Sequence, residues 1–143
     1  MLGKWIVLVF LCVGALWDAK KKAVPKIFLL IWGMVSVIYF ILEIFNGQNI
    51  LGMLVGIIPG VVALVLSVIS REQIGFGDGL ILLCVGCIQD IKEVLCMLFF
   101  SFVFLTITLM LLLVIRRVGR ASRVPFVPFM FIGQLITVFG GIL

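Results

Sequence analysis

The chain contains no histidine, and only 12% of its 143 residues are charged. The first absence excludes His-based metal centres and every Ser-His-Asp or Cys-His triad. The second excludes an ordinary soluble domain, in which about a quarter of residues are charged and about half apolar. Here 65% are hydrophobic and the mean hydropathy is +1.46. A domain of this size lacks the buried volume to hide so much Leu, Ile, Val and Phe. The chain therefore reads as one integral membrane domain spanning 1–143. Cysteine is confined to Cys12, Cys84, Cys87 and Cys96, all within apolar runs. Cys84-Val-Gly-Cys87 has the spacing of a redox or metal motif, but no further ligand lies nearby. It reads as small hydrophobes in a helix.

Six apolar runs remain, at about 2–17, 27–45, 50–69, 77–91, 94–115 and 124–143. They predict an all-α bundle of six transmembrane helices. The first run follows Lys4 and has the length of a signal-peptide core. No small-x-small cleavage site precedes Asp18 and further spans follow, so it is read as retained. Pro25 restarts the chain at the second span. The third carries Gly52, Gly56 and Gly60 at four-residue spacing, which favours close helix packing within the bundle, and Pro59, which is expected to bend it. Pro125 and Pro128 fall in or near the first turn of the last span, where a missing N–H costs little.

Basic residues orient these spans. With the loop after the first span in the cytoplasm, that side holds Lys20, Lys21, Lys22, Lys26, Arg71, Arg116, Arg117, Arg120 and Arg123. The other side holds only Lys4 and Lys92. Such a split is the positive-inside pattern and puts both termini outside. It also accounts for the net charge of +5 through the cell membrane rather than nucleic acid.

Acidic residues number six, and two of them, Asp18 and Asp78, lie at the cytoplasmic ends of spans. Asp78 belongs to Gly75-Phe76-Gly77-Asp78-Gly79, three glycines on alternate positions beside a hydrocarbon run. The apolar stretch 79–88 would rise only ~15 Å as a helix, about half the hydrocarbon core. The fourth helix must then begin inside the glycine stretch, or the bilayer must thin there. The first run, 5–17, is short as well. On residues alone, Asp18 fits a residue closing a helix and Asp78 an N-cap. They also fit a dyad in which one carboxylate takes a proton from water while the other stays protonated, because two close carboxylates cannot both ionise cheaply. Helix dipoles then make Asp78 the base and Asp18 the acid. A transporter or scaffold is the non-enzymatic alternative. Against it, both carboxylates lie on one side, with nothing acidic near the midplane.

Gly75-Phe76-Gly77-Asp78 resembles the GxGD motif of the type IV prepilin peptidase family of membrane aspartic proteases. Asp18 followed through a basic loop by Val24-Pro25 is similar to that family's first-aspartate region. Pro125-Phe126-Val127-Pro128-Phe129 resembles its Pro-Phe-x-Pro element at the start of the last span. The resemblance implies that Asp18 and Asp78 activate water without metal or cofactor, and that Gly75, Gly77 and Gly79 let substrate backbone approach. Pro25, Pro125 and Pro128 would belong to the same motif set. The implied partners are the bilayer and a prepilin or pseudopilin, whose basic leader is removed at the cytoplasmic face while its hydrophobic stem stays in the membrane. Another membrane substrate such as preflagellin fits the same motifs. Two departures touch substrate contacts. Gly79-Leu80-Ile81 stands where many relatives have x-Lys-Leu, and Pro25-Lys26 where many have Pro-Asn. Longer members carry an N-terminal domain associated with N-methylation, so cleavage without methylation is expected.

Overall fold

The computed structural model describes residues 2–21, 24–47, 50–69, 75–115 and 125–140. The basic loop 116–123, the polar segment 70–74 and the Gln48-Asn49 half of the second turn lie outside the described residues. Seven α-helices follow in order: α1 (Leu2–Lys21), α2 (Lys26–Phe45), α3 (Ile50–Gly56), α4 (Ile58–Ile69), α5 (Phe76–Gly86), α6 (Ile91–Val114) and α7 (Val127–Phe139). No strand occurs among the described residues. Helices are what hydrocarbon permits, because every backbone N–H and C=O must find its partner within the segment. Hydroxyls obey the same constraint. Ser36, Ser101, Thr106, Thr108 and Thr137 each donate to the carbonyl four residues back, at 2.6–2.9 Å.

Among the described residues, four stretches are long and apolar enough to cross a membrane: Leu2–Lys20, Lys26–Phe45, Leu51–Ile69 and Ile91–Val114. The third is α3 and α4 in series, interrupted for one residue at Ile57. Pro59 explains the interruption. It has no N–H to offer the carbonyl of Val55, and its ring disfavours helical geometry at the residue before it. α5 and α7 are shorter apolar helices. The structure thus shows a helical membrane bundle with four long spans and two short helices.

Two expectations about length resolve differently. α5 does begin inside the glycine stretch, at Phe76. α1, however, is not short. Its 20 residues run through Asp18 to Lys21, because the polar residues after Trp17 continue the helical ladder rather than ending it. The pairing of the two carboxylates with the two shortest spans therefore fails for α1.

Packing follows side-chain size. α4 lies closest against α5, where a β-carbon at Gly60 would overlap the Leu83 backbone. Close backbone approach through small residues is how helices associate where lipid is as apolar as their own side chains. α1 and α2 meet instead through aromatic rings. Phe10 stacks on Trp32 with centroids 4.2 Å apart, and Trp17 meets Phe28 edge-on at 5.6 Å. α7 packs along both α1 and α6. Cys84 and Cys87 are buried free thiols.

Candidate active site

Asp18 sits in the last turn of α1 and is only 5% exposed. Its Oδ2 accepts a hydrogen bond from the backbone N–H of Val127, the first residue of α7, at 3.3 Å. Asp18 is therefore no boundary residue that merely closes a helix. It is held from across the bundle by the opening turn of the last helix.

Asp78 lies in the first turn of α5 and is half-buried. The N-cap of that helix is Gly75, which provides no side-chain cap, so Asp78 does not have the N-cap role its position suggests. Its carboxylate folds back over the start of the helix instead. A β-carbon at residue 75 would lie 2.7 Å from Asp78 Oδ2. Asp78 has no hydrogen bond or ion pair among the described residues. It stands within electrostatic reach of Asp18.

Both carboxylates consequently face helix N-termini, Asp78 that of its own α5 and Asp18 that of α7. The sequence argument that set them apart as base and acid by opposite helix ends does not survive. Asp18 lies within the last turn of α1 but receives the N–H of α7, and a helix N-terminus favours negative charge wherever that charge comes from.

The three glycines, expected to act together, separate into three tasks. Gly75 makes room for the Asp78 carboxylate. Gly79 makes room for α4, since a β-carbon there would lie 2.9 Å from Leu64 Cδ2 and 3.2 Å from the Leu64 backbone nitrogen. Gly77 alone would accept a β-carbon at ordinary van der Waals distance, 3.8 Å from Leu29 Cδ1. Of the three, Gly77 is the position where an incoming peptide backbone meets least obstruction. Pro25 is the N-cap of α2, and its carbonyl accepts from Leu29 N–H at 3.2 Å, which fixes the turn that carries Leu29 to Gly77. Pro125 precedes α7, and Pro128 is its second residue. Val127 and Leu29 are the neighbours that the sequence did not single out. The motif around Pro125 and Pro128 marked the segment, but the acting group is a main-chain donor between them. No three His, Cys, Asp or Glu side chains gather as a metal-binding set among the described residues.

The described site thus holds two carboxylates at helix ends of a membrane bundle, in a chain without histidine. The model of the type IV leader peptidase family matches residues 5–115, and the chain belongs to that family. No curated protein and no solved structure matches it. The matched region contains both Asp18 and Asp78 and stops before Pro125.

Proposed function

We propose that this membrane peptidase is an aspartic endopeptidase that removes the basic leader of prepilin-like proteins at the cytoplasmic membrane face, with Asp18 and Asp78 as its catalytic pair. The observation that carries the reading is geometric: Asp18 is buried and held by the first N–H of α7, and Asp78 stands uncapped in the first turn of α5. Neither has a cationic partner among the described residues. Family membership supports the substrate class. The basic-residue split of the sequence supports the orientation, with six spans and both termini outside.

The chemistry needs one proton shared between the two carboxyl groups. The ionised carboxylate takes a proton from water as its oxygen attacks the scissile carbonyl carbon. The protonated carboxyl donates to the carbonyl oxygen, giving a neutral tetrahedral diol. Collapse of the diol breaks the C–N bond. The carboxylate that lost its proton recovers one from the diol, and the other acid delivers a proton to the leaving amine. A bell-shaped dependence of cleavage on pH follows, because activity needs one proton on the pair, not none or two.

The test is coexpression with a candidate prepilin, reading leader removal by mass. Cleavage should be abolished by Asp18→Asn and by Asp78→Asn, with membrane insertion unchanged, and should proceed in the presence of a chelator. Full cleavage by either Asn variant would falsify the dyad. Cleavage of an unrelated membrane stub but not of prepilins would redirect the substrate assignment.

A further inference from the structure

We infer that the backbone N–H of Val127 is the group that orients Asp18 for the reaction, and that the Pro125-to-Pro128 segment exists to present that single donor. The inference rests on Asp18 being a catalytic carboxylate. It also extends the site beyond residue 115, where the family match ends.

The argument begins with the donors at the start of α7. A helix leaves its first N–H groups without intrahelical partners. Here Pro125 and Pro128 have no N–H to give. The N–H groups of Phe129 and Met130 both turn back to the Phe126 carbonyl, at 3.0 and 3.2 Å. From 127 to 130, Val127 alone directs its N–H out of the helix, and it meets Asp18 Oδ2. Pro128 thereby removes the donor on the helical side of Val127 that could compete for the same carboxylate.

The donor is also rigidly placed. α7 is tied to α1 at the far end by Trp5 against Phe139, centroids 5.8 Å apart, and by Gln134 Nε2 donating to the Lys4 carbonyl at 3.3 Å. Val127 itself is fully buried. With Oδ2 held, the Asp18 carboxyl plane is fixed and Oδ1 is the oxygen left for water, substrate and Asp78. Val127 is thus a positioning residue acting through its main chain, so the identity of its side chain is secondary. Placement of a reacting group to within a fraction of an ångström is where such a contact acts on rate rather than on binding.

The decisive variant replaces the Val127 amide by an ester, through incorporation of the α-hydroxy analogue of valine into the full chain. It deletes one N–H and keeps the side chain, and it weakens without deleting the two bonds that Phe129 and Met130 donate to the Phe126 carbonyl. Cleavage kcat should fall about ten- to a hundredfold, the effect of losing a charge-assisted hydrogen bond, with KM within about twofold. Val127→Ala, which trims packing but keeps the N–H, should retain kcat within about threefold. A merely structural role predicts the opposite ranking, with Val127→Ala worse than the ester, and that ranking would overturn the inference, as would an unchanged kcat in the ester protein. Loss of the protease reading shows separately, as cleavage that is absent in wild type or survives Asp18→Asn. In that case infrared spectra still decide. The carboxyl band that Asp18→Asn removes should shift in the ester protein, and an unmoved band would refute the contact.

Discussion

At the end of the bundle where α1 begins, Glu93 has a cationic counterpart, while Asp90 stands at the N-cap of α6 without a side-chain capping bond. Glu93 Oε1 lies 2.9 Å from Lys4 Nζ. At the end where α1 finishes, Asp18 has one backbone donor, and Asp78 has no hydrogen-bond or ionic partner among the described residues. Polar groups without partners occur at the first end too, notably the buried amide of Gln89. An unpaired amide is far cheaper to bury than an unpaired charge, however. The difference separates acids that hold helices together from acids left available for chemistry. Salt-bridged carboxylates are already neutralised. Carboxylates with no cationic partner among the described residues keep a proton to exchange.

The largest effect that could break this comparison is on cleavage. Asp18→Asn or Asp78→Asn should lower kcat by about 10²- to 10⁴-fold, the span attributed to one acid–base group. The same changes should raise the temperature of unfolding in detergent, because each relieves a poorly compensated carboxylate. Glu93→Gln should do the reverse, lowering that temperature while leaving cleavage intact. If the Asp variants lost stability as Glu93→Gln does, the two ends would be doing the same structural work.

Packing supplies the next test. Gly60→Leu drives a side chain into the Leu83 backbone, which cannot move aside as a flexible side chain would. A loss of about 2–3 kcal/mol is expected in an unfolding titration, by the cost of overpacking. Gly77→Ala meets nothing closer than Leu29 Cδ1 and should be neutral for stability. Its effect, if peptide backbone lies there, should appear in KM.

Much of this arrangement was legible in the sequence, for identifiable reasons. Hydrocarbon forces helices, so apolar runs and their polar breaks gave α2, α6 and the α3–α4 pair directly. Pro59 accounts for the break between those two because proline acts on its own backbone. α1 was misjudged because Asp18 and the lysines after it read as solvent when they are the last turn of a helix, and periodicity does not register a helix outlasting its apolar run. The two aspartates were found because a carboxylate beside hydrocarbon is rare enough to notice. Their surroundings were not, since the donor to Asp18 is a main-chain N–H across the bundle and has no residue signature. Nor could spacing show that Gly75, Gly77 and Gly79 face three different neighbours, because that depends on which helix packs on which side.

Gly75→Ala sharpens the comparison within the motif itself. The added methyl would displace the Asp78 carboxylate, whose Oδ2 lies 2.7 Å from the would-be β-carbon. A side chain can swing away at little cost, so stability should change by no more than about 0.5 kcal/mol, as for mutations that spare the core. Cleavage should fall about tenfold, because a displaced carboxylate no longer meets its partner and water in one geometry. Equal loss of stability and activity would place Gly75 among the packing glycines.

The smallest effect belongs to the far end. Lys4→Met leaves Glu93 without its cation, in a pair whose side chains are each 19% exposed. Such a site lies between a solvated pair, worth little, and a buried one, whose breakage costs several kcal/mol. A loss of about 1 kcal/mol is expected, reduced in the Lys4→Met, Glu93→Gln double variant because the stranded charge is gone. Leader cleavage should stay within about twofold of wild type in both. A tenfold fall in kcat with little loss of stability would show that the far end reaches the aspartates through α1, the one helix carrying both Lys4 and Asp18. The separation of structural from reactive acids would then be a gradient along a single helix rather than a division between two ends.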